Sequence, residues 1–232
     1  MKKLIFFVSL IVVIIISVNA QGKDDKRQFT ESFNQGNCTF LTTGQNLYFI
    51  LEPGYQQTLQ GIDGKDTIIL VITVLNETKK IGNIETRIVE EHESVNGEVI
   101  EISRNYLAFC KETGSIFYFG EDVDIYKNGK VESHEGAWIA GGDNKAGVLM
   151  PGMPLIGARY YQEIAPKVAM DRAEIISLTE ILVTPAGKFK NVLKTEETTP
   201  IEPKEKSYKY YATGVGLIKD GDLLLIKYGF MK

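Results

Sequence analysis

The chain is poor in the residues on which most catalytic and metal chemistry rests. Its 232 residues include two cysteines, two histidines and one tryptophan. With only His92 and His134 available, a multi-histidine metal centre or a histidine-based triad has little to draw on. No G-x-S-x-G nucleophile elbow occurs, and no nucleotide-binding signature. Cys38 and Cys110 lack the C-x-x-C spacing of a redox motif. Acidic residues outnumber basic ones only slightly, 30 to 26. The formal net charge is −4, which disfavours nucleic acid and anionic lipid headgroups as main partners. Nothing implies a cofactor, and no catalytic residue stands out. Beyond the first residues, no apolar run is long enough to span a bilayer, which takes roughly 20 residues.

What is present begins with a leader. Lys2 and Lys3 precede an apolar run over 4–16, and Val18-Asn19-Ala20 offers the small or β-branched residues that a signal peptidase reads. Residues 1–20 therefore read as a secretory signal peptide, and the remainder as a periplasmic or extracellular protein with no membrane span. Residues 21–45 are polar and read as an irregular N-terminal segment. Residues 46–232 read as a single antiparallel β domain. In an oxidising compartment the two cysteines suggest one disulfide. Two separate buried thiols remain the alternative, since Cys110 ends the apolar run Tyr106-Leu107-Ala108-Phe109.

Short apolar or alternating runs recur along the domain with turn signals between them. The run at 67–75 is rich in β-branched residues. Asn96-Gly97 and Asn128-Gly129 each separate two strand-like runs, the strongest local hairpin signal; Asp220-Gly221 plays a similar part. The segment 170–182 has some helix formers. Its Ile175, Ile176, Ile181 and Val183, and its place between strand-like segments, favour one or two strands. The expected fold is all-β: a single antiparallel meander in a strongly curved sheet or open barrel, with little helix. Gly and Pro dominate 141–157, which reads as a long loop.

Several stretches taken in series resemble a known group of proteins. They include Tyr118-Phe119-Gly120-Glu121-Asp122-Val123-Asp124, Ser133-His134-Glu135-Gly136-Ala137-Trp138, Thr184-Pro185-Ala186-Gly187-Lys188-Phe189 and Tyr210-Tyr211-Ala212-Thr213-Gly214-Val215-Gly216-Leu217. The pattern resembles an uncharacterised family of secreted or periplasmic bacterial β proteins. It is also distantly similar to the curved-sheet lipoprotein carriers. The resemblance implies a bacterial envelope or secreted protein with a curved antiparallel sheet. It carries no activity and no functional residue.

Candidate sites follow from register. Pairing extrapolated from the Asn128-Gly129 turn sets Asp122 opposite Glu135, two acids that repel unless a cation, an arginine or a proton lies between them. Asp122 and Glu135 are thus the candidate metal ligands. Tyr208 and Tyr210 share a strand face and could line a ligand cavity, and Leu149, Met150 and Met153 form an apolar, adaptable flap in the 141–157 loop. Consecutive acids, Glu90-Glu91 and Glu196-Glu197, point to opposite faces of their strands. The leading functional expectation is a non-enzymatic binding or carrier module for an apolar small molecule, a lipid or an extended peptide. Alternatives are a structural partner that binds an envelope protein through a sheet edge, and a metal- or carboxylate-dependent hydrolase.

Overall fold

A computed structural model describes residues 28–231; the expected signal peptide lies outside the described residues. A short 3-10 helix (Gln35–Asn37) and strands β1 (Phe40–Leu41), β2 (Gly44–Gln45) and β3 (Ile50–Leu51) precede the long strands. β4 (Tyr55–Asp63), β5 (Asp66–Ile81), β6 (Ile84–Val95), β7 (Glu98–Cys110) and β8 (Ile116–Lys127) then run as an antiparallel meander. β9 (Lys130–Ser133), β10 (Trp138–Ile139) and β11 (Lys145–Met150) each return onto β8. After β12 (Arg159–Tyr161) and β13 (Glu163–Ile164) come β14 (Arg172–Thr184), β15 (Gly187–Thr198), β16 (Ser207–Ala212), β17 (Gly216–Asp220) and β18 (Leu223–Phe230).

The meander curls until its ends meet. β18 pairs with β4 from Leu224↔Gln60 to Phe230↔Tyr55. On the other side, the segment 159–164 is shared between two neighbours. Tyr160 pairs with Ala173 on β14, while Glu163 pairs with Ala146 on β11. The result is a nearly closed antiparallel barrel, in line with the expected all-β meander. Register shifts in most of the long pairings supply the bends that curl the sheet. The closure also needs a close backbone approach. A Cβ on Gly147 would sit 2.4 Å from the carbonyl oxygens of Tyr161 and Gln162.

Local chemistry accounts for the hairpins. Asn96 and Gly97 have φ of 52° and 85°, and Asn128 and Gly129 have 52° and 72°, as a type I′ turn requires. The third hairpin is shifted by one residue from the sequence reading. Asp220 pairs with Leu223, so Gly221 and Asp222 form the turn. The segment 170–182 belongs to one bulged strand, β14. The 141–157 segment departs from the long loop expected of it. Its middle, Lys145–Met150, is β11, a stave of the barrel wall carrying buried Ala146, Val148 and Met150. The glycines and prolines on either side made the six strand residues between them look like loop.

The N-terminal segment straps the outside of the barrel. Phe33, Cys38 and Phe40 pack on the face of β7 and β8 that carries Tyr106, Ala108, Phe117 and Phe119. Residues 28–45 are mostly irregular, with β1 paired to β7 and β2 to β3. Cys38 and Cys110 are disulfide-bonded across a sequence separation of 72, which decides between the two readings of the cysteines. In the chain-entropy account such a bridge contributes roughly 4 kcal/mol. Reduction should therefore lower the melting temperature by roughly 10 °C in a thermal scan with and without reductant. An unchanged transition would show that the strap adds nothing to stability.

Candidate functional site

A barrel wall turns every second side chain inward, and here many of the inward ones are ionisable. On β6, Val89, Glu91 and Glu93 share a face; opposite them on β7 stand Asn105, Ser103 and Glu101. Asn105 in turn pairs with Glu121 on β8. Across the lumen, Thr195, Lys209 and Asp220 lie side by side on β15, β16 and β17. Glu197 follows two residues after Thr195, and Tyr211 two after Lys209, so both keep the same face. The consecutive acids behave as period two dictates. Glu91 faces the lumen, while Glu90 is 3.1 Å from the Arg104 guanidinium on the other face. Glu197 faces Lys209, while Glu196 is 3.0 Å from Lys206.

Lys209 is the cation of this interior. Its Nζ lies 3.2 Å from Glu197 Oε2 and 3.7 Å from Asp220 Oδ2. Gln162 Nε2 donates to the other Glu197 oxygen at 3.3 Å. Burial alone would discharge the lysine, but the Asp220 and Glu197 carboxylates outweigh it and hold the ammonium well above its usual range. The acids further from Lys209 fare differently. Burial, reinforced by neighbouring acids, pushes Glu93 up to about 7. Glu101 rises to about 8 by burial and by Glu93, which stands opposite it in register. Glu121 also rises to about 8, chiefly by burial, despite a hydrogen bond with Tyr118 that favours its charged form. Burial and Asp171 push Glu163 well above the usual carboxylate range, and burial lifts Asp171 to about 6.

Beside Lys209 and Glu91 lies a cavity of about 80 Å³. Its lining interleaves apolar side chains, Ile72, Val74, Val89, Leu107, Leu149 and Leu217, with polar ones, Gln57, Glu91, Asn105, Tyr118, Lys209 and Tyr211. Phe49 and Ile50, from the segment that precedes β4, close over it. Glu91 is enclosed by protein yet keeps part of its surface open to this space. Gln57 Nε2 is held by the Leu217 carbonyl at 2.7 Å, and the Tyr118 hydroxyl donates to Asn105 Oδ1 at 2.5 Å. Fixed polar groups set among apolar side chains suit a small amphipathic guest.

The residues singled out from the sequence are scattered by the fold. Leu149 and Met150 do line the cavity, but from the barrel wall, and Met150 is almost fully buried. Met153 lies beyond the strand and is 79% exposed. Tyr208 and Tyr210 sit on the face of β16 opposite Lys209, beneath the Lys194 ammonium. Asp122 is held by Lys79 at 2.9 Å and by the Tyr106 hydroxyl. Burial opposes its ionisation, but these two partners keep the carboxyl below its usual range. Glu135 is not brought opposite it. A bulge between Ile125 and Tyr126 shifts the register, and β9 ends at Ser133. His134 instead approaches Asp124, at 3.0 Å. Among the described residues, the one grouping of three ligand atoms at metal-binding distance is Cys38, Cys110 and Glu112, and both its sulfurs belong to the disulfide.

Set against protein families, curated proteins and solved structures, the chain matches none. The site therefore has to be read from its own chemistry. Arg159 forms an ion pair with Glu174 at 2.9 Å, a structural contact between neighbouring strands.

Proposed function

We propose that the protein is a non-enzymatic binding or carrier module that holds a small molecule inside its barrel. The observation that supports this reading is the cavity itself. It is enclosed by paired strands and lined by apolar side chains with fixed hydrogen-bonding groups set among them. Its volume suits a small amphipathic molecule or the end of a longer chain, and is too small for an extended peptide. Pairing of β18 with β4 also leaves little free sheet edge for strand addition, which favours the lumen over an edge as the place of binding. An exported protein fits the leader-like residues 1–20 and the Cys38–Cys110 bond. A bacterial envelope protein related to the curved-sheet carriers is the corresponding assignment.

The test is a titration of the folded protein with n-butanol, followed by methyl NMR. Shifts confined to Ile72, Val74, Val89, Leu107, Leu149 and Leu217, saturating with concentration, are the expected result. Absence of any saturable shift in these methyls would contradict the reading.

A further inference from the structure

The cavity has a wall and a cover, and the two are held in different ways. Apart from Phe49 and Ile50, every residue that lines it stands on a strand of the one large sheet, tied to its neighbours by a backbone ladder. Phe49 and Ile50 belong to the β2–β3 hairpin, which forms a two-stranded sheet of its own. Parting the wall means breaking consecutive ladder bonds. Lifting the hairpin does not. Among the described residues, two hydrogen bonds join it to the barrel. Asn46 Nδ2 donates to the Gly114 carbonyl at 3.0 Å, and the Gly214 N–H donates to the Leu47 carbonyl at 2.8 Å. They fasten the tip of the hairpin to two turns of the rim, between β7 and β8 and between β16 and β17.

The tip is built to move as one piece. The Asn46 N–H donates to the Phe49 carbonyl, and Asn46 Oδ1 accepts from the Tyr48 N–H, each at 3.0 Å, so the asparagine side chain braces the turn from within. Both bases of the hairpin are pinned. Ahead of it, the buried Arg87 guanidinium donates to the Thr42 carbonyl at 3.0 Å and to its hydroxyl at 3.3 Å, a few residues after the disulfide at Cys38. Behind it, the Gly54 N–H donates to the Val74 carbonyl at 2.8 Å. Motion is thereby confined to residues 44–51. Tyr48 and Leu51 are buried in the core cluster around the cavity, so the closed position is the resting one.

We propose that the β2–β3 hairpin is the gate of the cavity: it lifts between its pinned bases, releasing the Asn46–Gly114 and Gly214–Leu47 bonds, and admits and discharges a small amphipathic guest while the barrel wall stays shut. This rests on the carrier reading above. Gating of this kind sets the rate of exchange and leaves the affinity almost unchanged, because the guest contacts the same closed site once inside.

The test uses Asn46→Ala, which removes one latch and alters no wall residue. Two rates are measured on the folded protein: hydrogen exchange of the Gly214 amide, which reports release of the other latch, and exchange of n-butanol between cavity and solvent, followed on the Leu107 and Leu149 methyls. Both are expected to rise by about fivefold, the effect of losing one hydrogen bond. The dissociation constant for n-butanol should stay within twofold of wild type, and the β6 amides should exchange as before. A faster Gly214 amide with unchanged n-butanol exchange would show that the guest passes through the wall. Unchanged values for both would show that the tip is not a moving part, and equal acceleration of the β6 amides would assign the exchange to global unfolding. Each of these results would overturn the gate and leave the carrier reading standing. Absence of any saturable n-butanol shift in the wild-type protein would overturn both.

Discussion

Lys209→Met is expected to lower the unfolding free energy by about 3–5 kcal/mol, the usual cost of removing one partner from a buried charge pair. The melting temperature should drop by roughly 10 °C. Methionine keeps the length and most of the packing of lysine, so the loss reflects charge. Without the ammonium, Glu197 and Asp220 face each other's field and that of Glu91 with no cation between them. They can relieve this only by binding protons. The destabilisation should therefore shrink at pH 5, where protonation is easier, and be largest near neutral pH. Calorimetric melting of both proteins at the two pH values checks this. An unchanged transition at neutral pH would mean that the Lys209 cluster contributes nothing to stability.

Wild-type stability should also fall as pH rises from about 5 to about 9, the reverse of the trend set by salt-bridged acids. Glu93, Glu101 and Glu121 have folded-state values of about 7, 8 and 8 against an ordinary 4.5. Between the unfolded and folded values, the native state holds protons that the unfolded chain has released. Stability from these groups is thus full below the unfolded value and is lost as pH climbs through the folded one. Each such proton contributes a slope of about 1.4 kcal/mol per pH unit, so several kcal/mol are at stake between pH 6 and pH 9. Glu101→Gln cannot ionise and should flatten the slope by about one proton's share, becoming more stable than wild type at pH 9. Denaturant melts across this range measure both effects. A flat profile, or one rising with pH, would contradict the burial of these acids.

The fold was legible because its signals are local. Alternation and Asn-Gly turns depend on neighbours in the chain, and they recover most strands and both type I′ hairpins. The site was not legible, because its members meet only when the meander closes. The alternation Val89-x-Glu91-x-Glu93-x-Val95 does show acids sharing a face with apolar residues. Without the closure at 159–164, however, that face reads as solvated. Lys209, within Tyr208-Lys209-Tyr210-Tyr211, carries no signal of its own, and Tyr208 and Tyr210 beside it lie on the opposite face of the strand. The Asp122–Glu135 pairing failed for a different reason. It extrapolated an uninterrupted register across a bulge, and one inserted residue turns a side chain to the other face. Leu149 and Met150 line the cavity for a reason other than the one argued from sequence, as wall residues of β11.

The most direct test of the barrel as a container is native mass spectrometry of the protein purified from its own host under non-reducing conditions. The account predicts a bound mass of small-molecule size that is retained in the folded protein and lost on denaturation. A bare polypeptide mass, in protein whose thermal transition shows it to be folded, would contradict it.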